Sequence, residues 1–253
     1  MCLILLAWQQ HPDYPLVLAA NRDEFYGRPA SPAGPWPGQA DILGGRDLLQ
    51  GGSWLAMHRD GRFAVVTNYR ETPPSVEPPR SRGRLVSDFL QGRQDPASYL
   101  ARIEPQGHLY RGFSLLVGDH GALGYLSNRN AGFRLLEPGV YGVSNALLDT
   151  PWPKVTEGKR RLESVLQSSP LDIDGLFALL ADSAPPPSPA GEGYNSDAIA
   201  GPLAPIFIQT ANYGTRCSTL LWRNHAGQLT LKERSFEPGR SGWSEVCHRP
   251  DRS

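Results

Sequence analysis

MCLILLAW, residues 1–8, places a cysteine directly behind the initiator methionine and ahead of an apolar run. The runs 3–9 (LILLAWQ) and 16–20 (LVLAA) flank HPDYP, a turn-forming stretch. Short apolar runs with little polar interruption read as buried strands, here of one hairpin. Cys2 then has three readings. A cysteine near a strand start is ordinarily a small buried hydrophobe. A targeting signal is disfavoured, because the run is short, no basic region precedes it and no small-residue cleavage site follows. The third reading is chemical. With Met1 removed, Cys2 carries a free α-amine of ordinary pKa ~7.7–8.0, which can serve as general base for its own thiol. Such a site needs no histidine. It needs groups that hold the amine, a cation near the sulfur and donors for an oxyanion. NRDE, residues 21–24, ends the second run. In a tight hairpin Asn21 to Asp23 fall beside Cys2, although four polar residues at a strand end also suit a solvated turn.

Working outward, the 253 residues fit one large domain or two small ones. Lys+Arg and Asp+Glu both number 25, so no basic surplus points to nucleic acid. No apolar run approaches the ~20 residues of a membrane span. The chain therefore reads as soluble, not integral to a membrane. Cys2, Cys217 and Cys247 are widely spaced and match neither a zinc pattern nor a disulfide framework; a reducing cytoplasm is expected. The scattered histidines offer no metal-ligand set, and no cofactor is expected, with haem conceivable only as a ligand.

Residues 25–38 read as a Pro/Gly loop, followed by strands in 53–60 and 62–70 joined at Asp60-Gly61. Helices are expected over 81–92 and 95–104, the latter with Asp95 as N-cap and Pro96 first in the helix. Strands follow at 113–119, 122–128, 133–137 and 141–145, then helices at 154–167 and 172–183. A long loop, 184–205, reads as a functional flap or mobile segment. The chain closes with a hairpin of 216–223 and 229–236. The order of strands, helices, strands, helices, strands indicates α+β layers with antiparallel sheets. One domain spans 1–236, and 237–253 reads as a frayed C-terminal tail. The glycine pairs 44–45 and 51–52 lack a following Lys-Ser/Thr, so they indicate close backbone packing or a turn rather than a phosphate loop.

Met-Cys at the start, NRDE at 21–24, GGSWLAM at 51–57, VTNYRE at 66–71, YGVSNALLDTPWPKV at 141–155 and YGTRCSTLL at 213–221 together resemble the NRDE family, the transport-and-Golgi-organisation protein 2 group. Ser53 stands where that family tends to have threonine. The layout also resembles the cysteine N-terminal-nucleophile hydrolases of the penicillin acylase and bile-salt hydrolase type. That resemblance implies a four-layer αββα sandwich and a catalytic set of Cys2, Asp23, Asn68, Asn145 and Arg216. In it Asp23 holds the amine, Asn68 and Asn145 donate to the oxyanion, and Arg22 or Arg216 favours the thiolate. Arg22 follows Asn21, whereas those hydrolases place their first arginine before the asparagine. Asn21, Arg22, Glu24, Trp54 and Tyr69 are assigned to ligand binding. Two functions stay open: hydrolysis of a linear C–N amide of an N-acyl compound, or non-catalytic binding and trafficking of haem or acyl-CoA/lipid.

Overall fold

The structure is a computed structural model, and it describes residues 2–71, 80–185, 205–239 and 241–250. In chain order the strands are β1 (Leu3–Trp8), β2 (Leu16–Phe25), β3 (Ala30–Trp36), β4 (Gln39–Asp47), β5 (Leu55–His58), β6 (Phe63–Asn68), β7 (Phe113–Gly118), β8 (Leu123–Ser127), β9 (Arg134–Leu135), β10 (Gly139–Val143), β11 (Tyr213–Arg223), β12 (Leu229–Ser235) and β13 (Ser244–His248). The helices are α1 (Gly83–Gln91), α2 (Pro96–Ile103), α3 (Pro153–Val165) and α4 (Ile173–Leu180).

β1 and β2 form the expected hairpin, with Leu3 opposite Asn21 and Trp8 opposite Leu16. They sit inside a six-stranded sheet of order β10-β1-β2-β11-β12-β13, while β3 to β9 make a seven-stranded sheet in sequence order. Neighbouring strands in both sheets are antiparallel. Side chains alternate faces along a strand, and the first hairpin is apolar on both. Ile4, Leu6 and Trp8 meet the second sheet's Leu55, Met57 and Leu116 in one core. Leu3, Leu5 and Ala7 meet Val155, Leu162 and Phe177 of α3 and α4 in another. A third core joins the far face of the second sheet to α1 and α2 through Leu85, Phe89 and Leu100. The layers therefore run helix, sheet, sheet, helix, which is the expected α+β sandwich.

Local chemistry explains several element ends. Asp95 accepts from the Ser98 amide at 2.9 Å and Pro96 opens α2, as its sequence predicts. Gly61, at φ +93°, turns the β5–β6 hairpin. Gly44 and Gly45 are close-packing glycines: a Cβ would fall 2.5 Å from the Ala56 Cβ and 2.1 Å from the Trp54 ring, respectively.

The structure corrects two expectations. Residues 25–38 are not all loop, because 30–36 form β3, and β4 follows it. The prolines of β3 are tolerated because it is an edge strand, and its register shifts twice against β4. The C-terminal tail is not frayed throughout, since β13 pairs with β12 from Leu231–His248 to Ser235–Ser244. Most of the 184–205 stretch lies outside the described residues.

Candidate functional site

Cys2 stands one residue before β1, half-buried. Extending the β1–β2 register by one residue sets it opposite Arg22, on the face that Ile4 and Ala20 turn toward the second sheet. Its backbone nitrogen donates to Asn145 Oδ1 at 3.1 Å. Asn145 lies just beyond β10 at φ +54°, a left-handed conformation that asparagine adopts more readily than most residues. Its Nδ2 donates to the Asn68 carbonyl at 2.9 Å, and its own carbonyl accepts from the Arg70 amide at 2.8 Å. Asn145 thus ties the start of the first sheet to the end of β6 in the second. The loop that carries it is fixed from below. Ser114 Oγ donates to the Ala146 carbonyl at 2.8 Å, and the Leu148 amide donates to Tyr125 Oη at 3.0 Å. Asn68 is exposed at the end of β6 and meets this network through its main chain.

Asn21 and Asp23 point the other way, toward the helices. Asn21 is fully engaged: Nδ2 donates to the Leu180 and Ile206 carbonyls, and Oδ1 accepts from Ser218 Oγ at 2.6 Å. It is a clamp between sheet and helix layer. Asp23 Oδ1 accepts from Thr215 Oγ1 at 2.7 Å. Burial pushes the Asp23 carboxyl above its usual range, opposed by the charges of the amino terminus, Lys154 and Arg22. Lys154 is the residue that the sequence reading missed. It is 1 % exposed. Burial lowers its pKa, opposed by the charges of Asp23 and Cys2. A signal was present. Lys154 shares a helical face with Gly158 and Leu162, four and eight residues on, and that face is buried. It also stands in the first turn of α3, where the helix dipole disfavours a cation.

Arg22 is 6 % exposed. Its guanidinium lies over the Trp54 ring, 4.3 Å from the centroid, and Nη2 is 4.0 Å from Asp47 Oδ2. Asp47 is held more closely by Arg28 Nε at 2.7 Å and by the amides of Leu49 and Gln50. Burial opposes the charge on Asp47, but the Gln50 amide and Arg28 outweigh it and lower the pKa. Among the described residues Arg22 Nη1 and Trp54 Nε1, both buried, have no hydrogen-bond partner. Cys2, Ile4, Ala20, Arg22, Trp54 and Val65 line a narrow cavity of ≈ 10 Å³, room for about one water molecule.

The other assigned residues are held in networks of their own. Arg216 sits at a register shift of β11, and its Nη1 donates to the carbonyls of Phe25, Tyr26 and Arg28. That gives it a bracing task on the β2–β3 connection; the resemblance offered Arg22 or Arg216 as the cation near the sulfur. Glu24 accepts from the Phe25 amide at 2.9 Å and lies 3.8 Å from Arg28. The Tyr69 amide donates to the Gly112 carbonyl at 2.8 Å. Arg82, also unassigned from sequence, donates to that same carbonyl at 3.0 Å. Burial lowers its pKa, with the neighbouring Arg111 adding to the effect and the charges of Cys2 and Glu71 opposing it. A larger cavity of ≈ 380 Å³, walled by Tyr26, Phe207, Phe236 and Trp243, shares no lining residue with the Cys2 cleft.

Among the described residues no group of three His, Cys, Asp or Glu side chains is arranged to hold a metal ion, and no helix is long and apolar enough to cross a membrane. The family model described as Transport and Golgi organisation 2 matches residues 1–238. The chain is 39 % identical to a Transport and Golgi organization protein 2 homolog from Bos taurus, covering 98 % of both chains. It is 38 % identical to the Mus musculus homolog, covering 93 % of both. Among solved structures it is similar to a mutant conjugated bile acid hydrolase from Clostridium perfringens, at 8 % identity and a TM-score of 0.49, covering 99 % of this chain and 97 % of that one.

Proposed function

The chain belongs to the Transport and Golgi organisation 2 family, and from that premise we propose that Cys2 is the nucleophile of an amidohydrolase acting on a linear C–N amide of an N-acyl compound. Removal of Met1 turns the Cys2 nitrogen into a free amine. The amine takes the thiol proton as the sulfur attacks the acyl carbonyl. It returns that proton to the leaving nitrogen as the C–N bond breaks, leaving a thioester on Cys2. The same amine then deprotonates a water, which cleaves the thioester, releases the carboxylic acid and restores the thiol.

The single observation that carries this reading is the 3.1 Å bond from the Cys2 nitrogen to Asn145 Oδ1. It holds the prospective base at a strand end between the sheets, beside a half-buried sulfur. Asp23 and Lys154 act on each other at the same corner, and the charge of the amino terminus acts on Asp23, so a carboxyl and a cation stand close to the prospective base. Arg22, which lines the cleft with Cys2, and Arg82, which interacts with Cys2 by charge, supply the cations near the sulfur. Asn68, at the exposed end of β6, is the asparagine left to serve an oxyanion, because Asn145 spends both ends of its amide on the network.

That spent amide also favours a second reading, a haem or acyl-CoA/lipid carrier that traffics its ligand without turnover. Either reading fits a cytoplasmic setting, in which the free thiols of Cys2, Cys217 and Cys247 persist. Intact-mass measurement and an N-acyl amide panel decide between them. The enzyme reading expects Met1 to be absent, iodoacetamide to add at Cys2, and that adduct to abolish amide cleavage. A retained methionine leaves the Cys2 nitrogen an amide and overturns it. Saturable haem or acyl-CoA binding with Met1 retained is the carrier's outcome.

A further inference from the structure

Arg22 is a buried cation with an unspent donor. Its Nη2 faces a carboxylate that belongs mainly to Arg28. Its guanidinium carbon lies 4.3 Å from the Trp54 ring centroid, and Trp54 is itself fixed by the close approach of Gly45. Nη1 meets no protein acceptor among the described residues, and neither does the indole N–H of Trp54. Leaving a buried donor unmade is costly, more so for a charged one. Two such donors on neighbouring residues form a recognisable recognition element. They line the same narrow cavity as Cys2, and the rest of its wall is largely apolar. An apolar wall with a few convergent donors selects ligands by where they carry polar atoms.

We propose that Arg22 Nη1 and Trp54 Nε1 together bind a carboxylate on the inner wall of the Cys2 cleft, so that the site takes a small anionic acyl compound. The cavity of ≈ 10 Å³ has room beside these donors for one water-sized group, such as a single carboxylate oxygen. A guanidinium is planar and presents its donors in a fixed fork, which suits the planar carboxylate. This inference rests on Cys2 being the reactive group of the cleft, but not on its turnover or on the loss of Met1.

Paired alkylating reagents test it on the full-length protein. Iodoacetate carries the carboxylate and iodoacetamide is its neutral counterpart. Cys247, exposed on β13, is the internal reference. Peptide mass mapping gives the rate at Cys2 relative to Cys247 for each reagent. The expected result is a relative rate roughly tenfold higher with iodoacetate, as for a hydrogen bond to a charged group. Acetate added to the unaltered chain should slow iodoacetamide at Cys2 saturably and leave Cys247 untouched. Trp54→Phe keeps an aromatic ring and removes the N–H, and should cut the iodoacetate preference severalfold. Arg22→Met should abolish it. Equal relative rates in the unaltered chain, or no acetate protection, overturn the proposal without recourse to any variant. If Arg22→Met slows both reagents alike and the preference stays, Arg22 serves only the sulfur's charge and the carboxylate site is wrong. Failure of the enzyme reading appears elsewhere, as a retained Met1 or absent amide cleavage.

Discussion

Asp23 and Lys154 share the helix-facing corner of the site, and their electrostatics carry a pH signature. Lys154 is one of the charges that hold the Asp23 carboxyl down against its burial. Lys154→Met removes it, so the Asp23 pKa rises further above the unfolded value. A raised carboxyl pKa contributes stability below the unfolded value that is lost as pH rises through the folded one. The variant's deficit should therefore be small near pH 4 and grow toward neutrality. It should reach roughly 3 kcal/mol, the scale for stranding a buried charge. Urea unfolding at pH 4.5 and pH 7.5 measures it, and a deficit independent of pH would remove Asp23 from the account. Asn145 separates backbone from side chain. Asn145→Gly keeps the left-handed backbone and loses the amide, whereas Asn145→Ala loses both. Alanine should be the less stable by about 1 kcal/mol or more in thermal unfolding, and both variants should lose the fixed position of the Cys2 nitrogen. The sequence brought Asn21, Arg22 and Asp23 to the neighbourhood of Cys2, because hairpin pairing is local, whereas Asn145, 143 residues from Cys2, came only from the family resemblance. It did not show that Asn21 is saturated, since Leu180, Ile206 and Ser218 come from distant segments. Lys154 escaped notice because a lysine near a helix start ordinarily faces solvent.

At the scale of elements, the 48–53 turn joins β4 to β5 and aims Trp54 at the cleft. Gly51 and Gly52 both have positive φ, +69° and +78°. A Cβ on Gly51 meets nothing, whereas one on Gly52 would fall 2.5 Å from the Gly83 backbone at the start of α1. Gly51→Ala should cost about 1 kcal/mol, the left-handed penalty alone. Gly52→Ala should cost that plus about 1–3 kcal/mol of overpacking. Chemical denaturation of the two variants side by side gives the difference, and equal losses would mean that α1 yields freely. The glycines were legible as a packing or turn signal. β3 and β4 were less so. Prolines and glycines mark loops in most contexts, and only the sheet edge, which depends on the whole strand order, makes them compatible with a strand. The first hairpin, the α2 cap and the final hairpin were readable because their signals lie within a few residues of one another.

At the scale of the whole molecule, a buried carboxylate joins the Asn145 network and apolar packing in holding the two sheets together. Glu233 of β12 is 1 % exposed, accepts from the Ala33 amide of β3 at 2.7 Å and from Thr219 Oγ1 at 2.9 Å. His248 of β13 lies 3.0 Å from the Ala33 carbonyl. Burial raises the Glu233 pKa, more than its hydrogen bonds lower it. Its stabilising contribution is therefore complete below the unfolded value of 4.5 and declines as pH rises through the folded one. Glu233→Gln should match the parent near pH 4 and unfold at a higher temperature than the parent at pH 8, read by scanning calorimetry. A constant difference across that range would mean that Glu233 does not titrate there. The layered fold itself was legible from the order of elements, but the pairing of β2 with β11 was not, because nothing local specifies a partner so distant. That pairing has a consequence for how the molecule is made. Asp23 and Thr215, which bond directly, are 192 residues apart. A ribosome adding about 5–20 residues per second takes roughly 10–40 s to cover that interval. For that time the nascent first hairpin exposes the edge that β11 will occupy, with Arg22 and Asp23 still in water. The chemical centre is thus completed late although its cysteine is among the first residues synthesised, and a chain released before β11 emerges carries the thiol without the strand that holds Asn21 and Asp23.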